Sequence, residues 1–285
     1  MLDIAIIGAG PAGLSAAING VTRNKRVMVF GNKPTSSLIY KAEQVNNYLG
    51  MYGVTGKEMI EQYVDHAKSM GVPMHIGKVI QIFSLGDYYT LNVENEFFEA
   101  RTVIIATGLP MVKMLPKEEE FIGKGISYCA TCDGMLYKDK DVVVFGETHE
   151  AEKDVNYLSE ICRNVHYVHQ YKDVKHINHT VNSIHGKPKE IIAGDYVEGL
   201  KLKDQELKGN AVFLLRETTP VSKLISGLEM NGKTIQVNRH METNISGIYA
   251  AGDCTGTPYQ ISKAVGEGLI AALSAVTYID RQKAA

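Results

Sequence analysis

Six residues at the start of the chain, Leu2-Asp3-Ile4-Ala5-Ile6-Ile7, run without a break into Gly8-Ala9-Gly10-Pro11-Ala12-Gly13. An apolar run interrupted only by Asp3 predicts a strand buried on both faces, as the strands of parallel sheets are. The three glycines of the turn have separate tasks: a tight bend, room for a phosphate against the backbone, and close packing of the next helix on the strand. Leu14 to Arg23 has helical spacing, and Val27-Met28-Val29-Phe30 reads as the following strand. The product is a βαβ unit whose helix N-terminus offers free N–H groups and a positive dipole end to a pyrophosphate. A chain that opens this way is committed to an α/β fold with parallel strands. The acidic residue expected after the second strand is missing, because Gly31-Asn32 stands there.

Two distant segments extend the pattern. Val103-Ile104-Ile105-Ala106-Thr107-Gly108 is a strand ending in a turn of small residues. Gly247-Ile248-Tyr249-Ala250-Ala251-Gly252-Asp253 is another, ending in an acid able to accept a ribityl hydroxyl. Beyond it, Gln260 to Thr277 has helical spacing and brings a second helix N-terminus toward the same ligand. Together these segments resemble the FAD-binding domain of the two-dinucleotide-domain flavoprotein disulfide reductases. The stretch Tyr128-Cys129-Ala130-Thr131-Cys132-Asp133-Gly134 narrows the resemblance to the low-molecular-weight thioredoxin reductases. In that family the active disulfide lies just before the first strand of the second domain, as here.

The resemblance covers nearly the whole chain and carries definite expectations. It implies two Rossmann-like, three-layer α/β domains, the second inserted into the first. The FAD-binding domain comprises residues 1–112 and 246–285, and residues 113–245 form the insert with the redox-active cysteines. Hinges fall near Lys113-Met114-Leu115-Pro116 and Thr243-Asn244-Ile245. FAD contacts are expected at Gly8, Gly10, Pro11, Ala12, Gly13, Asn47, Ala106, Thr107, Gly108, Gly252, Asp253, Gln260 and Ile261. The family's usual homodimer is expected with them.

The insert contains its own strand–turn–helix, from Val142 to Glu160, and a next strand at Val165-His166-Tyr167-Val168. In NADPH-using relatives this second turn is rich in glycine, and a basic run after the next strand holds the 2′-phosphate. Here Glu147 and Thr148 follow Gly146 in place of glycines, and their side chains obstruct the close approach a pyrophosphate needs. Glu147, Glu150 and Glu152 add negative charge at the helix N-terminus, which repels an incoming phosphate. After the next strand stands His169-Gln170-Tyr171-Lys172, without arginine, and a third family turn appears as Leu215-Arg216-Glu217-Thr218-Thr219-Pro220. The unit is therefore read as structural, and NADPH is not expected. A surviving nucleotide site would need Lys172, Lys175 and Arg216 to gather around a phosphate.

Charge and cysteine usage exclude other classes. Lys plus Arg number 30 against 32 Asp plus Glu, so no global charge favours nucleic acid or an acidic membrane. Four cysteines are too few for a disulfide scaffold at 285 residues. Met1-Leu2-Asp3 shows no basic leader, and the apolar stretch from Leu269 to Ile279 is too short for a bilayer, so a cytoplasmic protein is expected. Cys129-x-x-Cys132 then reads as redox or metal chemistry. Structural zinc needs four ligands, yet Cys162 and Cys254 stand alone and read as core residues. His166, His169, His176, His179 and His185 alternate onto mixed faces.

The redox reading uses Cys129 and Cys132 as an exchange-active pair at the start of a turn or helix, where a lowered thiolate pKa is favoured. By resemblance Asp133 is the proton donor or acceptor for the leaving thiolate, the alternative being a helix N-cap. Cys132 is the flavin-proximal sulfur by its position in the family. With NADPH excluded, a one-electron carrier suffices to fill a flavin. This pattern resembles the ferredoxin-dependent flavin thioredoxin reductases, and the expected path runs from ferredoxin to FAD, to Cys129–Cys132, to thioredoxin. The alternatives are another donor (a flavodoxin, a second flavin or NADPH in an atypical site) and a non-catalytic flavin redox sensor. Ferredoxins are acidic, and Lys138, Lys140, Lys187, Lys189, Lys201 and Lys203 of the insert are candidates for a local docking patch.

Overall fold

The computed structural model describes residues 1–32, 37, 39–94, 96–108, 114–216 and 221–284. Strand β1 (Leu2–Ile7) passes through the glycine turn into helix α1 (Pro11–Val21), and β2 (Val27–Gly31) follows. The two strands pair in parallel, with Ile4 opposite Val27 and Ile7 opposite Phe30. Helix α2 (Gly56–Ser69) starts at a capping box in which Thr55 and Glu58 each satisfy the other's backbone N–H. Strands β3 (Met74–Ile76), β4 (Val79–Ser84), β5 (Tyr89–Val93) and β6 (Glu96–Ile105) come next.

The chain then builds a second unit. It contains β7 (Ile126–Ser127), the short helix α3 (Ala130–Asp133), β8 (Asp141–Gly146), α4 (Ala151–Ile161), β9 (Asn164–His169) and β10 (Asn182–His185). Three short strands follow, β11 (Glu190–Ala193), β12 (Val197–Lys201) and β13 (Glu206–Lys208), and then β14 (Ala211–Leu215). A parallel sheet in the order β10-β9-β8-β14-β7 forms the middle of this unit, and β11-β12-β13 forms a separate antiparallel sheet. Strand periodicity explains the layering. Val142 and Val144 of β8 pack with Val155 and Leu158 of α4, whereas Val143 and Phe145 pack with Ile191, Leu200 and Leu207 of the small sheet.

Afterwards the chain returns to the first unit with β15 (Met230–Asn231), β16 (Thr234–Ile235), β17 (Ile248–Ala250) and helix α5 (Ile261–Ala284). The first unit's seven-stranded sheet has the order β3-β2-β1-β6-β5-β4, and β17 pairs in parallel with β6. Ile4, Ile6 and Ile104 lie in one buried cluster with residues of α1, α2 and α5. Ala5, Ile7, Val103 and Ile105 lie in the cluster on the other face. Helix α5 packs on α1 at very short range, because a Cβ at Gly268 would sit 2.1 Å from the Ala12 carbonyl oxygen. Among the described residues no helix is long and apolar enough to cross a membrane.

The compact units comprise Met1–Pro110 with Pro220–Ala285, and Met111–Thr219. The return to the first unit thus falls earlier than the expected residue 246. Val221, Leu224, Ile225, Leu228 and Ile235 are buried with the sheet of the first unit, and the Ile82 N–H donates to the Leu224 carbonyl. Asn244, expected in a hinge, bonds Gly227 and Glu229 inside the same unit. Lys113 of the other expected hinge, and residues 217–220 of the turn after β14, lie outside the described residues.

Candidate active site

The glycine turn is shaped by what surrounds each position. Gly8 has φ +119°, and a Cβ there would lie 2.1 Å from the Ala106 carbonyl oxygen, so the turn is wedged against the end of β6. A Cβ at Gly13 would lie 1.9 Å from the Gly8 carbonyl oxygen. A Cβ at Gly10 would meet nothing within 4 Å. The turn is therefore closed behind Gly8 and Gly13 and open in front of Gly10. Pro11 occupies the first helical position, Ala12 and Gly13 follow it, and among the described residues no side chain caps this helix end. No acidic residue stands in its first turn. Uncapped N–H groups at an open helix start suit a phosphate.

Neighbouring elements bring the other expected FAD contacts to the same unit. The Ala106 N–H donates to the Ile7 carbonyl and the Ala251 N–H to that of Ile105, so Ala106, Thr107, Gly108 and Gly252 lie at adjoining strand ends. Lys263 and Glu267, one turn apart on α5, hold the loop after β17. Glu267 accepts from the Gly252 N–H at 2.9 Å, and Lys263 Nζ donates to the Gly252 carbonyl at 2.9 Å. Burial pushes the Asp253 carboxyl above its ordinary value, Lys263 opposing and Glu267 adding to the effect. Across the unit, Asn47 donates to the Gln260 side chain at 3.0 Å, immediately before Ile261 begins α5. These residues fit a flavin dinucleotide: an open phosphate turn, a half-buried carboxylate for a hydroxyl, and paired amides.

In the second unit Cys129 and Cys132 form a disulfide with Cα atoms 5.3 Å apart. Cys129 is the N-cap of α3, and its Sγ accepts the Cys132 N–H at 3.1 Å. Cys129 is buried and Cys132 exposed, so the two sulfurs differ in access. Asp133 ends the same helical turn. It stands at the start of the following 3₁₀ turn, Gly134–Tyr137, but its side chain caps nothing there, and its carboxylate instead accepts from Ser127 Oγ at 2.7 Å. Burial pushes the Tyr137 phenol up, and the charge of Asp133 adds to the shift.

Behind the cysteines lies a network that sequence reading did not find. Arg216 makes a two-pronged ion pair with Glu118, which is fully buried, and Tyr128 donates to the same carboxylate at 2.9 Å. The Leu115 N–H donates to it as well, at 2.7 Å. Arg216, considered above as a phosphate ligand, is thus committed to Glu118. Glu118 lies in Lys117-Glu118-Glu119-Glu120, a run that reads as a solvated face, and nothing local marks its burial. The Lys263–Glu267 pair did leave a signal, in its i,i+4 spacing.

The second strand–turn–helix shares a crowded first glycine with the first and differs from it in the charge at the helix start. Gly146 stays crowded, since a Cβ there would lie 2.6 Å from both Ala151 Cβ and the Tyr167 hydroxyl. Helix α4 carries Glu152 and Asp154 in its first turn. Glu152 is buried and accepts four hydrogen bonds: from His149 Nδ1 at 3.1 Å, the Tyr171 hydroxyl at 3.0 Å, and the N–H groups of Lys175 at 3.3 Å and His176 at 2.9 Å. Burial opposes its charge, but these donors outweigh burial and hold the carboxyl below its ordinary value. The loop after β9 is thereby tied to the first turn of α4 by the chain's own carboxylate. Lys172 and Lys175 are exposed around it.

Cys162 and Cys254 are buried free thiols in opposite units, pushed up to about 11 and about 12, chiefly by burial. His169 bonds the Tyr171 carbonyl and Ser183. Among the described residues no three His, Cys, Asp or Glu side chains are grouped to hold a metal.

Comparison with known proteins agrees with this geometry. The profile of the pyridine nucleotide-disulphide oxidoreductases matches residues 2–268. The thioredoxin reductase of Bacillus subtilis is 32% identical over 302 residues, which cover 98% of this chain and 95% of its own. A solved ferredoxin-flavin thioredoxin reductase from Clostridium acetobutylicum is 45% identical, with a TM-score of 0.91 and coverage of 100% of this chain and 99% of its own. A thioredoxin reductase from Gloeobacter violaceus gives 26% identity and a TM-score of 0.75, over 99% and 95% of the two chains. With its disulfide formed and the match running almost end to end, the chain belongs to the pyridine nucleotide-disulphide oxidoreductase family and is a flavin-dependent disulfide oxidoreductase.

Proposed function

We propose that this protein is a thioredoxin reductase that draws its electrons from reduced ferredoxin rather than NADPH. Bound FAD would link single-electron input to two-electron output. Gly8, Gly10 and Gly13 would hold the pyrophosphate, Asp253 a ribityl hydroxyl, and Asn47 with Gln260 the flanking polar contacts. Two electrons and two protons open the Cys129–Cys132 bond to a dithiol. Exchange with a thioredoxin disulfide closes it again and leaves thioredoxin as the dithiol. Asp133 serves the proton traffic of the leaving thiolate, and by its position in the family Cys132 would be the sulfur that takes electrons from the flavin. A cytoplasmic homodimer is the assembly that goes with this reading.

The observation that carries the donor assignment is the Glu152 network. Backbone N–H groups of the loop after β9, which could meet a nucleotide's phosphate, already bond a buried carboxylate from α4. A nucleotide would have to displace that anion and work against the remaining acidic residues of the turn. The likeness to a ferredoxin-flavin thioredoxin reductase supports the same reading. The test is anaerobic: purified, FAD-loaded protein is mixed with NADPH or with reduced ferredoxin while the flavin absorbance is followed. Ferredoxin should bleach it and NADPH should not. Bleaching by NADPH alone would refute the assignment.

A further inference from the structure

We propose that Ser127 is a positioning residue for disulfide exchange, holding the Asp133 carboxylate in place through one buried hydroxyl. The inference rests on the acid–base role given to Asp133 above. Ser127 ends β7, where pairing with Phe213 of β14 fixes its backbone, and it is 4% exposed. Three polar groups surround its Oγ: Asp133 Oδ2 at 2.7 Å, the Cys129 N–H at 3.1 Å and the Cys129 carbonyl oxygen at 3.2 Å. A hydroxyl has one proton to give, and the carboxylate is both the nearest and the strongest acceptor. The proton therefore goes to Asp133, while the oxygen accepts the Cys129 N–H. One side chain joins the proton-handling group to the backbone of the exchange-active ring.

Packing alone does not require this residue. Alanine would fill nearly the same space in the strand, whereas only a hydroxyl can donate and accept at once. Among the described residues it is also the one hydrogen-bond donor to the Asp133 carboxylate. When the enzyme dithiol reduces a thioredoxin disulfide, one S–S bond forms on the enzyme and one breaks on the substrate. Two electrons and two protons pass to thioredoxin in the exchange. A carboxylate serving that proton transfer has to come within about 2.6–3.2 Å of its partner, directly or through one water. Without Ser127 the carboxylate loses the hydroxyl that ties it to the Cys129 backbone.

The experiment uses FAD-loaded protein, pre-reduced with dithionite and mixed rapidly with oxidised thioredoxin. The chain has no Trp, so thioredoxin's own indole emission reports the exchange. Ser127→Ala should exchange roughly ten-fold more slowly, the size of one lost charge-assisted hydrogen bond, with KM for thioredoxin unchanged. Ser127→Thr, which restores the hydroxyl, should recover most of the rate. In the double variant, Ser127→Ala should add nothing to the loss caused by Asp133→Asn, because the two changes remove one function. A wild-type rate in Ser127→Ala, no recovery in Ser127→Thr, or losses that multiply in the double variant would each overturn the proposal. A wild-type rate in Asp133→Asn would instead remove the acid–base role of Asp133, an outcome separable from the others.

Discussion

Gly8, Gly10 and Gly13 share one turn, yet a methyl group added to each meets a different environment. At Gly13 it collides with backbone, and at Gly10 it meets open space. Gly13→Ala should therefore destabilise the flavin-free protein by about 1–3 kcal/mol through forced backbone shifts. Gly10→Ala should change it by no more than about 0.5 kcal/mol. Gly10→Glu should fold and yet purify colourless, because a carboxylate then occupies the phosphate position; a yellow Gly10→Glu protein would contradict that placement. A second contrast concerns the sulfurs. Cys129→Ser or Cys132→Ser should keep a reducible flavin and lose thioredoxin reduction, since only exchange needs both; near-normal turnover in either variant would make the pair structural. The glycines and the cysteines were legible in the sequence because their spacing is local. Glu118 was not, because its burial depends on Arg216, 98 positions away. Arg216→Ala should cost about 3–5 kcal/mol by leaving the buried Glu118 uncompensated, read as a lowered denaturation midpoint.

At the scale of elements, α1 and α4 begin alike and end in opposite electrostatic states. The start of α1 is open, whereas the first turn of α4 carries Glu152, bonded to the loop after β9. A carboxyl held below its ordinary value contributes stability that is complete above the unfolded pKa, about 4.3 for Glu. That contribution disappears as pH falls through the folded value. Asp141 behaves likewise: hydrogen bonds from Arg163 and Asn164 hold it at about 2. The melting temperature should therefore decline as pH falls below about 4, with Glu152→Gln less stable than wild type at neutral pH and the gap closing as the Glu152 carboxylate takes up its proton. A gap independent of pH would show that Glu152 does not act through its charge. The strand–turn–helix elements themselves were readable from hydrophobic period. The segment from Val221 to Ile235 was not, for it forms only a short 3₁₀ turn and two-residue strands, too brief to show a period. Its burial against the first sheet is a tertiary fact, and the expected domain boundary missed it for that reason.

For the whole molecule the decisive question is where electrons enter. Any ligand that binds the native state well above its Kd must raise the melting temperature, so NADPH should produce no shift in the wild-type protein. Reduced ferredoxin should sustain turnover under the same conditions. Docking of an acidic carrier depends on which basic residues are exposed and unopposed. Lys138, Lys140, Lys187, Lys189, Lys201 and Lys203 are all exposed, and the Lys189 N–H bonds the Lys201 carbonyl, so these two are close neighbours. Carboxylates interleave with them: Lys201 pairs with Glu206 at 3.5 Å, and Lys117 pairs with Glu190 at 3.8 Å. Exposed pairs of this kind contribute little to stability, but they cancel much of the field that would steer a partner. The rate of reduction by ferredoxin should consequently fall as salt rises past ~0.1 M, where screening reaches ~10 Å, and fall less than it would for an unopposed basic face. Glu206→Gln, which uncovers Lys201, should raise the low-salt rate and steepen its dependence on salt. An unchanged rate in that variant would exclude the small antiparallel sheet as the docking face and leave the donor assignment to be judged by flavin bleaching.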